Sequence, residues 1–115
     1  MNQPIPDVGV KDVNRISHRD YPSAANEALA ILSRYGAEPY HQESARVQVA
    51  ILKLAGGSFE KLHSMTSIAC DDFRDVLSWA EYPEYSKRAI HKFTLEEKRR
   101  IIEADWKQYY DWIKE

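Results

Sequence analysis

The sequence predicts an all-α protein, a compact bundle of four main helices with an extended N-terminal arm. Three observations predict it. Apolar residues recur at helical spacing in four stretches, glycine or proline stands between those stretches, and Ser58 and Thr94 are placed as helix caps. The chain is organised around residues 40–55, YHQESARVQVAILKLA. At about 100° per residue, Val47, Ala50, Ile51 and Leu54 fall on one side, and Ala45, Val49 and Leu52 fall nearly opposite. Only Arg46 with Lys53, and Gln48, leave polar strips. A helix that is apolar on two faces must be covered on two faces, so this one is expected at the centre.

Residues 1–20 are expected to form the arm, because two prolines, a glycine and scattered apolar groups sustain no period. Val8, Val10, Val13 and Ile16 are available to dock on a neighbour, and a short strand at 8–13 would have no pairing partner. Residues 21–115 are expected to make one helical domain. Its first helix runs over 22–35, with Pro22 in the first turn, Gly36 as a left-handed stop, and Ala25, Ala28, Leu29 and Leu32 on one face. The second covers 40–55 and ends at Gly56-Gly57.

The third covers 58–81, capped by Ser58. Its stripe of Leu62, Met65, Ala69, Phe73, Val76 and Ala80 passes through Asp71-Asp72, where an aspartate could cap a new helix. Tyr82-Pro83 ends it. Residues 84–93 form a connector with room for a turn or two of helix. Thr94 with Glu97 reads as a capping box that opens the fourth helix, 94–113, with Leu95, Ile102, Trp106, Tyr109 and Ile113 along one face.

Composition bounds the function. One domain is the natural count for 115 residues. The net charge is −2, with 6 basic and 6 acidic groups in residues 1–57 and 10 and 12 in residues 58–115, so no global field draws the chain to nucleic acid. No apolar run approaches the roughly 20 residues of a membrane span, and the N-terminus lacks a signal-peptide core. A single cysteine, Cys70, leaves no intrachain disulfide and no cysteine-rich zinc site. The expected compartment is the cytoplasm.

Several strings invite a chemical reading. Asp71-Asp72-x-x-Asp75 matches the aspartate-rich string that holds magnesium–diphosphate in prenyl-transferring enzymes. That site needs carboxylates lining a deep apolar cavity. Here Asp71 and Asp75 point roughly 140–180° away from the apolar stripe, and the chain is too short to build the cavity, so a solvated acidic patch is expected. His63 and Cys70 project the same way but stand about 10.5 Å apart along a helix, beyond the reach of a nucleophile–base pair. His18, His41, His63 and His91 are dispersed, and His41 with Glu43 has the wrong spacing for a helical metal site. No metal and no cofactor is expected. Lys87, Arg88, His91, Lys92, Lys98, Arg99 and Arg100 gather positive charge, yet Glu96–Arg100 and Glu103–Lys107 stand as neutralising pairs. Gly56-Gly57 is a bare turn, not a phosphate loop.

Around ARVQVAILKLAGGSFEKL and DDFRDVLSWAEYPEY the chain resembles a family of small all-helical bacterial proteins with no assigned activity. The resemblance covers roughly residues 35–113. It implies a stand-alone cytoplasmic protein and transfers no site residues.

The aromatic residues point to contact with other proteins. Ile68 and Trp79 lie about 100° from the main stripe of the third helix, and Ile101 and Trp112 are offset similarly on the fourth. These four form the expected interface of a homodimer, with the N-terminal arm as the competing cover. The functional expectation is therefore a non-catalytic protein acting through protein–protein contact, with itself or with an unidentified protein, and with no nucleic acid or membrane as partner. The alternative is a small enzyme or ligand binder whose site is assembled in space from His, Tyr and acidic residues.

Overall fold

The structure, a computed structural model, describes residues 5–88 and 92–115. The described residues are helical without strand, and they form six helices: α1 (Val10–Asp20), α2 (Ala25–Leu32), α3 (Ser44–Ala55), α4 (Phe59–Glu81), α5 (Pro83–Lys87) and α6 (Leu95–Lys114). Ala89, Ile90 and His91 of the expected connector lie outside the described residues, as do the first four residues.

Helix α3 is the centre. Val47, Ala50 and Ile51 on one side and Val49 and Leu52 on the other are all fully buried. Its polar strips are spent inside the molecule. Gln48 Nε2 donates to the carbonyls of Leu32 (3.2 Å) and Tyr35 (2.7 Å), which ties α3 to the end of α2. The long α4 packs along α3, α2 rests on α4, and α6 closes the far side through α5 and α4. Gly56 (φ 56°) takes left-handed backbone as the C-cap of α3, whereas α2 stops at Leu32 and Gly36 (φ 111°) lies in the turn that follows, not at the helix end. Ser58 and Thr94 cap α4 and α6, accepting from the Lys61 and Glu97 amides at 3.2 and 3.1 Å.

Three sequence expectations need correction. The four-helix count becomes six, because α1 and α5 add to the four main helices. Residues 10–20 are a helix and not an extended arm. Asp12 reaches back to the Gly9 amide (2.9 Å) to start it, and Val13 and Ile16 enter the core against α2 and α3. Two apolar side chains on that face are too few to register as a period. Finally, α2 begins at Ala25 and α3 at Ser44, later than expected, because Pro22–Ala24 form a turn and Glu43 takes a left-handed conformation (φ 49°) just before α3.

Candidate functional site

Helix α4 bends at Asp72, whose backbone leaves the helical region (φ −153°, ψ 96°). The side chain explains the bend. The Asp72 carboxylate accepts from the Arg74 amide at 3.1 Å and from Arg74 Nε at 3.1 Å, so it caps the second half of α4 as a new helix. These contacts with Arg74 hold the Asp72 carboxyl below the usual carboxylate range. The bend opens a cleft of about 490 Å³ between α4 and the α2–α3 loop.

The loop wall is aromatic. Tyr35 is buried and donates its hydroxyl to the Gln42 carbonyl at 2.8 Å, and burial pushes its phenol up. His41 stacks on the Tyr35 ring at 4.6 Å, Tyr40 stands edge-on to His41 at 4.9 Å, and Phe73 of α4 meets Tyr35 at 6.4 Å. The His41 Nδ1 accepts from the Gly36 and Glu38 amides at 2.9 and 3.3 Å, which assigns the ring proton to Nε2. Across from this wall stand Cys70, Asp71 and Arg74. The Cys70 thiol faces the Arg34 carbonyl at 3.8 Å. Asp71 is exposed, and its side chain makes no hydrogen bond or ion pair among the described residues. His63 is exposed, so the helix-borne Cys70–His63 pair gains nothing from the fold. Among the described residues no three His, Cys, Asp or Glu side chains gather as metal ligands.

The four expected interface residues have different fates. Trp79 is 43% exposed and borders a depression of about 340 Å³ with Pro83, Ser86 and Lys87. Ile68 is half-buried against the core, and Ile101 is half-buried on α6. Trp112 is half-buried, its ring lying 4.9 Å from the Arg19 guanidinium of α1 and 5.8 Å from the Tyr109 ring. Trp79 and Trp112 thus have different neighbours. Arg19 of α1 is the charged neighbour of the Trp112 ring.

Comparison with protein-family models, curated proteins and solved structures finds no match. The resemblance read in ARVQVAILKLAGGSFEKL therefore assigns no family, and the chemistry of the chain rests on its own geometry.

Part of the basic stretch is paired locally. Lys87 and Arg88 pair with Glu84 at 3.7 and 3.8 Å, and Arg100 pairs with Glu96 at 2.9 Å. Lys107 turns forward one turn to Asp111 (3.1 Å) in place of the expected Glu103. No helix among the described residues is long and apolar enough to cross a membrane.

Sequence reasoning missed a buried polar group beneath α4. Arg46 of α3 makes a two-pronged contact with Glu81, Nη2 to Oε1 at 2.7 Å and Nε to Oε2 at 2.9 Å, and the Glu81 side chain is only 2% exposed. The hydrogen bond to Glu81 pushes the Arg46 guanidinium further up. Asp105 of α6 is buried and accepts from the Glu84 and Tyr85 amides at 3.2 and 2.9 Å, so it caps α5 from another helix. The one signal in the sequence is Arg46 itself, a charged residue on the helix expected at the centre.

Proposed function

We propose that this chain is a non-catalytic helical protein that acts through protein–protein contact, with a second copy of itself as the partner. The observation that carries this reading is Trp79, a large ring left 43% exposed beside a depression of about 340 Å³. Tryptophan dominates interface hot spots, because one ring removes much apolar area from water and loses little conformational freedom. Ring and depression belong to the same corner of the α4–α5 junction. A two-fold axis there lets each copy place Trp79 against the Pro83 edge of the other, as an isologous interface requires. Ile68 and Trp112 are engaged with the fold, and the interface shrinks to Trp79 and its surroundings. Two tryptophans bury on the order of 300–500 Å², well short of the ~1,600 Å² of a standard interface, so the dimer is of the weak, small-interface class.

Sedimentation of wild type, Trp79→Asp and Trp112→Asp tests the proposal. Wild type is expected to sediment as a dimer at about 100 µM, and Trp79→Asp as a folded monomer with unchanged helicity. Trp112→Asp is expected to lose stability instead, through Arg19. A wild type that stays monomeric at that concentration overturns the proposal.

A further inference from the structure

Four rings among the described residues meet a cationic side chain of the same molecule. Arg19 lies over Trp112, Lys53 over Tyr109, Lys98 over Tyr85 and Lys114 over Tyr110, at 4.9, 5.8, 5.6 and 4.2 Å from the ring centroids. Tyr40, at the rim of the α4 cleft, is 71% exposed, and among the described residues no cation lies over it. The same cleft holds an unspent carboxylate. Asp72 pairs with Arg74 at 3.1 Å, the His41 Nδ1 accepts from two backbone amides, and Asp71 is left over. The lining therefore carries one net formal negative charge beside the exposed Tyr40 ring.

We infer that the cleft at the α4 bend is a binding site for an organic cation with an alkylated ammonium head. The aromatic quadrupole attracts a cation that keeps little of its water, and the carboxylate supplies the long-range field. A bare metal ion is disfavoured by the same surroundings, because it needs several oxygen or nitrogen ligands at short range, and the described residues gather no such set. A cleft of about 490 Å³ has room for a trimethylammonium group and a short tail. The site is independent of the Trp79 surface, and a monomer would carry it.

Choline and its uncharged isostere 3,3-dimethylbutanol make the test, read by NMR chemical-shift titration of the full chain. Choline is expected to shift resonances of residues 40–42 and 70–74 with millimolar affinity, and the neutral isostere to bind at least about tenfold more weakly. Asp71→Asn and Tyr40→Leu are each expected to weaken choline by about three- to tenfold; both side chains are exposed, so folding is preserved. Arg74→Ala removes the cation that neutralises Asp72 and is expected to tighten choline by about two- to fivefold, an effect that a structural role for Arg74 would not produce. Choline carried on phosphatidylcholine vesicles separates a free ligand from a lipid headgroup: shifts with free choline but no vesicle binding assign the free molecule, and vesicle binding that Asp71→Asn abolishes assigns the headgroup. The inference is overturned if choline produces no shifts at about 10 mM, if charged and uncharged isosteres bind alike, or if the shifts map away from the cleft.

Discussion

Arg46 is the residue on which most of the interior polar chemistry turns. It reaches Glu81 through two short hydrogen bonds and Glu43 through another pair at 3.1 and 3.2 Å. A buried carboxylate is tolerated because the guanidinium fork matches it. Glu81→Ala should cost about 3 kcal/mol in a denaturant titration, the low end for breaking a buried pair, since Arg46 keeps some access to water and to Glu43. A loss below about 1 kcal/mol would mean that the pair behaves as a surface bridge.

The neighbouring phenols give a pH dependence. Burial, and then the charge of Glu81, pushes the Tyr82 phenol up to about 12 and raises Tyr109 in the same direction. A phenol kept neutral by the fold holds its proton after the unfolded chain has released its own. Stability from this source is intact below the ordinary phenol value of about 10 and is lost as pH climbs toward 12. Lys53, whose ammonium is pushed down by burial, works in the opposite sense, because its folded form surrenders a proton more readily. Tyrosinate absorbance and helical ellipticity followed together should show helix loss starting above about pH 10, with the late-ionising phenols appearing only as the helix goes. Ionisation of all seven tyrosines with the helix intact would contradict this assignment. Tyr109→Phe should move the alkaline transition upward. At neutral pH it should change stability by less than about 1 kcal/mol, because the buried hydroxyl has no partner among the described residues.

At the scale of the element, the helices legible in the sequence are those whose order comes from their own apolar faces. Helix α3 shows two apolar sides, α4 keeps a stripe for most of its 23 residues, and α6 opens on Thr94 and Glu97. The elements missed or blurred are held by partners far along the chain. Helix α5 is five residues long, and its first turn is capped by Asp105, some twenty residues on. Leu95 shares the apolar face of α6 by spacing yet is 67% exposed. The cleft was equally hidden. Tyr35, His41 and Phe73 belong to two loop or helix ends that meet only in space, and no spacing rule connects them. Asp105→Ala tests the cap. It strands two amides at the start of α5 and should lower stability by about 1–3 kcal/mol, with faster amide exchange at Glu84 and Tyr85. Unchanged exchange there would show that α5 is held by its own packing.

For the whole molecule, the decisive question is whether the N-terminal segment is an accessory or a member of the core. Helix α1 sends Arg15 to the Ile113 carbonyl and Arg19 to the Trp112 carbonyl, the latter at 2.8 Å, and both arginines also reach the Glu115 carbonyl at 3.3 Å. Carbonyls in the last turn of a helix have no partners within it, and the end of α6 carries partial negative charge. Two guanidinium groups satisfy both needs and join the two ends of the described chain. On its other side, α1 supplies Val13 and Ile16 to the core against α2 and α3. The two contributions can be separated. Replacing Arg15 and Arg19 together by alanine should loosen the α1–α6 contact while leaving Val13 and Ile16 in place. Exchange should then quicken in α1 and in the last turn of α6, with a global loss of about 1.5–3 kcal/mol. Removing residues 1–20 takes away both contributions and opens the side of the core that α1 covers. That chain should lose its cooperative thermal transition in calorimetry, as expected when buried apolar surface is exposed without replacement. If the truncated chain melts as cooperatively as the full one, α1 is a detachable cover and the core closes without it.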